Sequence, residues 1–329
     1  MTARAKVLVT GKAGQMALAL ACLEAPDLEI VTLGRPELDI ADRASVARAF
    51  AAVRPVIVVN TAAYTEVDKA ETDVATAFAV NRDGAANVAT AAAEQGCPVI
   101  HFSTDYVFPG DKPDPYRETD ETGPVSVYGR SKLAGEQAVA DANPAHVILR
   151  TAWVYSPDGR NFLKTMLRLA RERDEIGVVG DQHGTPTSAA FLARAVAAVV
   201  RHVLADPAGA SWRGVFHLVA DGATDWAGFA EEIFAQSAKR GGPSARVRRI
   251  TTADYKTAAA RPANSRLDTT RLSAVFGIKP PRWQDDVAAC VDALLRQNPS
   301  SDRALAGAAT FSHKGRREHL SSVSANRER

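Results

Sequence analysis

The chain has 329 residues, 24% of them charged, and a formal net charge of +2. Six Lys or Arg against three Asp or Glu fall in the last 31 residues, so residues 1–298 sum to about −1 and carry no basic stripe for nucleic acid. No apolar run is long enough to cross a bilayer, and Cys22, Cys97 and Cys290 form neither a disulfide framework nor a zinc pattern.

The first half alternates short β-branched runs with Ala-rich stretches. Strands are expected at 7–10, 29–33, 56–60, 99–103 and 146–151, with helices at 15–23, 44–53 and 73–95 between them. Continuous apolar strands alternating with helices indicate a parallel sheet covered on both faces, an α/β doubly wound fold of Rossmann type. The pattern then loosens: helices at 161–173, 189–204 and 225–237, short strands at 176–180 and 214–219, and a loop at Gly241-Gly242-Pro243. The division expected is a dinucleotide-binding domain over 1–150, to which 186–210 returns. A smaller, discontinuous α/β substrate lobe takes 151–185 and 211–297. Residues 298–329, rich in Ser, Ala and Arg, read as a disordered tail. The N-terminus runs directly into a strand without a signal peptide, and the odd, scattered cysteines suit a reducing compartment, so the expected location is cytoplasmic.

Thr10-Gly11-Lys12-Ala13-Gly14-Gln15-Met16-Ala17 joins the first strand to the first helix. Glycines there allow a tight turn and close approach to a pyrophosphate, and the helix N-terminus offers unpaired N–H groups. The third glycine of the usual fingerprint is replaced by Ala17. The second strand ends at Leu33 and is followed by Gly34-Arg35, where an acid would favour NAD and an Arg accommodates a 2′-phosphate. That favours NADPH, with NADH possible. Asp39 and Ile40 border the adenine, cap the next helix, or both. Asn60-Thr61-Ala62-Ala63-Tyr64 ends the third strand with small residues where a dinucleotide would cross the sheet edge. The expected cofactor residues are Gly11, Gly14, Gln15, Met16, Arg35, Asp39, Ile40, Ala62, Ala63, Tyr64, Phe102, Tyr128 and Lys132.

The reacting groups come next. Ser103-Thr104-Asp105-Tyr106-Val107-Phe108 puts hydroxyls at the end of an apolar run. Tyr128-Gly129-Arg130-Ser131-Lys132 follows at a helix start, and residues four apart share a helix face. A phenol and an ammonium in one space suit proton exchange with a sugar oxygen while hydride moves at the carbon.

These motifs, together with Arg150-Thr151-Ala152-Trp153-Val154-Tyr155, Asp181-Gln182-His183-Gly184-Thr185-Pro186-Thr187 and Arg261-Pro262-Ala263-Asn264-Ser265, resemble in order those of the dTDP-4-dehydrorhamnose reductases of the extended short-chain dehydrogenase/reductase superfamily. The resemblance runs from about residue 5 to 295. It implies Tyr128 as general acid, Lys132 as the cation that eases the phenol's proton and binds the nicotinamide ribose, and Thr104 as a hydrogen-bond partner of the same sugar oxygen. It also implies Asp105 and Trp153 as substrate contacts, with Arg261 and Asn264 at the nucleotide diphosphate end. The reaction implied is NADPH-dependent reduction of the C4 keto group of dTDP-4-dehydro-β-L-rhamnose. Closely similar reductases make 6-deoxy-talose or dihydrostreptose products, and some relatives are non-catalytic regulatory subunits. A related dehydratase would place Glu after Thr-Asp, where this chain has Tyr106. Ala19 and Ala190 stand where some members carry metal-binding glutamates, so no metal is expected, and the chain is read as a monomer or homodimer without membrane or nucleic-acid partners.

Overall fold

The computed structural model describes residues 4–297, so the tail expected at 298–329 lies outside the described residues. The first half runs β1 (Ala5–Thr10), α1 (Gln15–Ala21), β2 (Leu28–Leu33), α2 (Arg43–Val53), β3 (Ile57–Asn60), α3 (Val67–Ala70), α4 (Val74–Phe78), a π-helical turn (Ala79–Gly84), α5 (Ala85–Glu94), β4 (Val99–Thr104), α6 (Val127–Ala142) and β5 (His146–Thr151). The second half holds β6 (Val154–Tyr155), α7 (Phe162–Leu169), β7 (Glu175–Val179), β8 (His183–Gly184), β9 (Thr187–Ser188), α8 (Ala189–Ala205), β10 (Gly214–His217), β11 (Thr224–Asp225), α9 (Trp226–Ala238), β12 (Arg246–Ile250), α10 (Thr270–Phe276) and α11 (Trp283–Gln297).

Six parallel strands form one sheet in the order β10-β5-β4-β3-β1-β2. Apolar residues fill both faces, as expected of a covered parallel sheet. On one side α1 and α8 close a core that includes Val7, Val9, Leu149, Leu192 and Phe216. On the other, α2, α5 and α6 bury Leu8, Val58, Phe50, Val88 and Val139. The doubly wound α/β expectation holds. Strand order runs outward in opposite directions from β1 and β3, so the switch point lies between their carboxyl ends. A second core, with Tyr155, Leu163, Phe229, Ile233, Trp283 and Val287, is built from α7, α9, α11 and the β7–β12 pair.

The helix expected at 73–95 is interrupted. Its middle widens into the π turn, where the buried Asn81 Nδ2 donates to Tyr64 O at 3.1 Å and to Ser131 Oγ at 2.9 Å. The side chain pins this turn to α6, an insertion at a single turn such as π-bulges make. β12 is an element without an assignment in the sequence: Arg246-Val247-Arg248-Arg249-Ile250 pairs in parallel with β7.

Candidate active site

Gly11 turns the chain out of β1 at φ 80°. A Cβ there would sit 3.0 Å from Ala62 Cα, so only glycine lets the loop close on the end of β3. Thr10 Oγ1 donates to Asn60 Oδ1 at 2.6 Å and accepts from the Ala62 N–H at 3.1 Å. Thr61 Oγ1 in turn donates to Thr10 O at 2.6 Å. These bonds hold together the two strand ends that flank the switch point. No side chain caps α1 behind Gly14, which leaves the first N–H groups of the helix for an anion. Gln15 Oε1 accepts from Ser156 Oγ and Asn161 Nδ2, both at 2.9 Å, and ties the helix start to the loop after β6.

A cleft of about 970 Å³ crosses these strand ends. It runs from the glycine loop past Gly34, Arg35 and Asp39, along Ala62 and Ala63, to Phe102, Tyr128 and Lys132. Its size suits a dinucleotide-scale ligand.

At its inner end α6 presents Tyr128 and Lys132 one turn apart. Ser126 starts that helix by accepting from the Gly129 N–H at 3.1 Å. Lys132 is only 2% exposed, and its Nζ donates to Phe102 O at 2.6 Å. Burial lowers its pKa to about 8, against the opposing charge of Glu136. Thr104 ends β4, donates to Asp105 Oδ1 at 2.8 Å and accepts from the Tyr106 N–H at 3.2 Å. Its hydroxyl thus caps the short 3₁₀ turn as well as facing the phenol. Burial pushes Tyr128 up to about 12, a rise that the Thr104 hydrogen bond opposes and the Asp105 charge reinforces. The direction is opposite to that expected from a neighbouring ammonium, because desolvation is the largest cause. The phenol is therefore protonated at neutral pH, the state a proton donor requires. Burial also raises Asp105 to about 6, although Ser265 and Thr104 hydrogen-bond it. Together these groups can protonate an oxygen in the cleft that also takes in the glycine loop.

Comparison with known proteins bears on the chemistry. Residues 5–296 match the family model described as RmlD substrate binding domain. The dTDP-4-dehydrorhamnose reductase of Sinorhizobium fredii is 53% identical over 290 residues, covering 88% of this chain and 98% of that protein. The Escherichia coli (strain K12) protein of the same name is 42% identical over 295 residues, covering 88% and 98%. The crystal structure of the Bacillus anthracis dTDP-4-dehydrorhamnose reductase in complex with NADP superimposes with a TM-score of 0.82 at 34% identity, over 88% of this chain and all of that one. The chain belongs to the dTDP-4-dehydrorhamnose reductase family.

In this reductase the cleft gathers all the expected cofactor residues except Tyr64. Tyr64 stands outside the cleft lining: its N–H donates to Asn81 Oδ1 at 2.8 Å, its phenol to Asp73 Oδ2 at 3.2 Å, and its ring packs beside Val127. Asp39 lines the cleft and also accepts from the Ala41 N–H at 3.0 Å, while the cap of α2 is Asp42. Among the expected substrate residues, Thr104 and Asp105 are buried beside Tyr128. Trp153 takes a left-handed φ of 46° and stacks on Trp226 with ring centroids 3.6 Å apart. Gly184 makes room for it, since a Cβ there would meet Trp153 Cε2 at 2.5 Å. Arg261 is held in a bidentate pair by Asp68, at 2.9 and 2.6 Å. Asn264 is engaged within the protein: Nδ2 donates to Lys112 O at 2.6 Å and Asp114 O at 2.9 Å, and Oδ1 accepts from Arg266 Nε at 2.8 Å. That amide ties its own loop to the one at 112–114.

The cleft also takes in residues that the sequence reading missed. Lys12, which pairs with Glu37, lies within the glycine loop and was legible from position alone. Arg160, paired with Glu66 at 3.3 Å, comes from a loop remote in sequence and gave no local signal. Among the described residues, no cluster of three His, Cys, Asp or Glu side chains is placed to hold a metal ion, and no helix is long and apolar enough to cross a membrane.

Proposed function

We propose that the protein uses NADPH to reduce the C4 keto group of dTDP-4-dehydro-β-L-rhamnose, giving dTDP-β-L-rhamnose. One observation carries the reading: a single cleft joins the glycine loop to a protonated phenol and a buried ammonium, with the strand-end Thr104 buried just behind them. The glycine loop and the uncapped start of α1 fit the pyrophosphate of a dinucleotide. When bound, the reduced nicotinamide supplies the hydride. Tyr128 Oη gives its proton to the sugar O4. Thr104 hydrogen-bonds the same oxygen and fixes its distance from the phenol. Lys132 stabilises the phenolate left behind, an interaction strengthened by its burial. Asp105 and Trp153 border the sugar, and Arg261 meets the diphosphate by exchanging its Asp68 partner for phosphate oxygens. The substrate lobe of the sequence reading, centred on the second core, then closes the far side of the sugar site.

Purified protein mixed with dTDP-4-dehydro-β-L-rhamnose and NADPH should consume one NADPH per product, with the rhamno configuration by NMR. A talo product would overturn the stereochemical assignment. No turnover by folded protein that binds NADPH would overturn the substrate.

Arg35 is exposed at the cleft wall beside Gly34. Arg35→Ala should weaken NADPH by roughly tenfold or more and leave NADH nearly unchanged, as read by nicotinamide fluorescence titration. Equal losses for both cofactors would remove Arg35 from the 2′-phosphate.

A further inference from the structure

We propose that Glu136, gripped by Arg150 and Ser103, is the positioning residue that keeps Lys132 charged and aimed, and so sets the pH above which the reductase loses activity. The inference rests on the assignment of Lys132 made above.

Tyr128, Lys132 and Glu136 are spaced four apart and share one face of α6. Three successive residues of β4 meet them. Thr104 lies beside the phenol, the Phe102 carbonyl takes the ammonium, and Ser103 Oγ donates to Glu136 Oε1 at 2.5 Å. From the next strand, Arg150 closes a bidentate pair on Glu136, Nε to Oε1 at 2.9 Å and Nη2 to Oε2 at 2.7 Å. Both side chains of the pair are 5% exposed. The helix bearing the proton donor is thus bolted to β4, the strand bearing Thr104, by the Ser103 bond and to β5 by the ion pair, and neither Glu136 nor Arg150 lines the cleft.

A buried ion pair is weak evidence of stabilisation, since apolar replacements often do as well. It calls for another task, and its place supplies one. Lys132 has lost its water, which favours the neutral amine, and Glu136 is the carboxylate one turn away that opposes this. The other groups around Lys132 do not supply that charge. His101 on β4 is buried and held neutral by desolvation and by Lys132 itself. Asp105, next along, is raised by burial, as are Tyr106 and Tyr128. Arg150 on β5 is a cation. Arg82 and Asp83 on the π turn pair with each other at the surface, and Glu71, after α3, accepts from the Val127 N–H. With Tyr128 held near 12, Lys132 is the first of the reacting groups to lose its proton as pH rises.

The test is the kcat–pH profile with NADPH and substrate saturating. Removing the negative neighbour favours neutral Lys132, so Glu136→Gln should move the alkaline limb to lower pH by roughly one unit. Arg150→Met removes a positive neighbour and should move it upward. Glu136→Asp keeps the charge and should restore the limb towards wild type. Should Glu136→Gln fail to fold, the double variant Glu136→Gln/Arg150→Met, which leaves no unpaired charge, is compared with Arg150→Met alone, and its limb should lie at lower pH than that of the single variant. A folded Glu136→Gln with an unmoved limb, or a double variant whose limb coincides with that of Arg150→Met, would overturn the inference. Lys132→Met separates the two levels. Wild-type turnover there sinks the assignment of Lys132 itself, whereas lost turnover with an unmoved limb in Glu136→Gln sinks only the role of Glu136.

Discussion

Tyr128→Phe should lower turnover by roughly 10²–10⁴-fold, the usual worth of a positioned general acid. The substitution deletes one oxygen and little else. The ring keeps its edge-to-face contact with Tyr106, at 5.9 Å between centroids, and Ser126 still caps α6. The glycine loop and Arg35, at the other end of the cleft, are untouched. NADPH affinity and melting temperature should therefore stay near wild type while kcat collapses. The residue of activity would come from Thr104, which still polarises the carbonyl. Near-normal kcat in the folded variant would remove Tyr128 as the proton donor, and an equal fall in cofactor affinity would make it a binding residue instead.

Gly135→Ala should damage stability and catalysis together. A Cβ at this position would lie 2.1 Å from the Asn81 carbonyl oxygen and 3.2 Å from its carbon. Both are backbone atoms, so no rotamer change relieves the overlap. Either α6 retreats or the π turn gives way, and each breaks the Asn81 contact with Ser131 that joins them. Overpacking of this kind costs about 1–3 kcal/mol. The better helix propensity of alanine returns only about 1 kcal/mol. Lys132 sits one turn before Gly135, so a shift of the helix also spoils its bond to Phe102 O. Urea unfolding should show a lower midpoint, and kcat should fall by more than the loss of folded protein explains. An unchanged midpoint would mean that α6 and the π turn adjust freely.

Local patterns made much of this legible. The apolar runs at β1, β3, β4 and β5 could bury only in a covered sheet, and glycines between β1 and α1 mark a turn that other residues cannot make. Four-residue spacing put Tyr128 and Lys132 on one helical face before any coordinates. Other contacts lay beyond any local pattern. Tyr64 and Asn264 are small-loop polar residues of the kind that meet ligands, but each finds its partners in the protein. Arg261 has the right chemistry for phosphate, and only the proximity of Asp68, 193 positions away, reveals its counter-ion. The π turn escaped because Ala-rich helical periodicity runs through it almost unbroken.

By itself the sequence determined the alternation of strands and helices, the glycine loop, and the order of motifs that marks the reductase family. Those features depend on spacing and on backbone preferences within a few residues. Tertiary structure alone decided the charge states at the site and the partners of its polar groups. Burial lifts Tyr128 and lowers Lys132, and burial belongs to the packed molecule. The Glu136–Arg150 pair, the Asp68–Arg261 pair and the cleft between the ends of β1 and β3 all join residues that meet only when the sheet is assembled, so no local pattern in the chain encodes them.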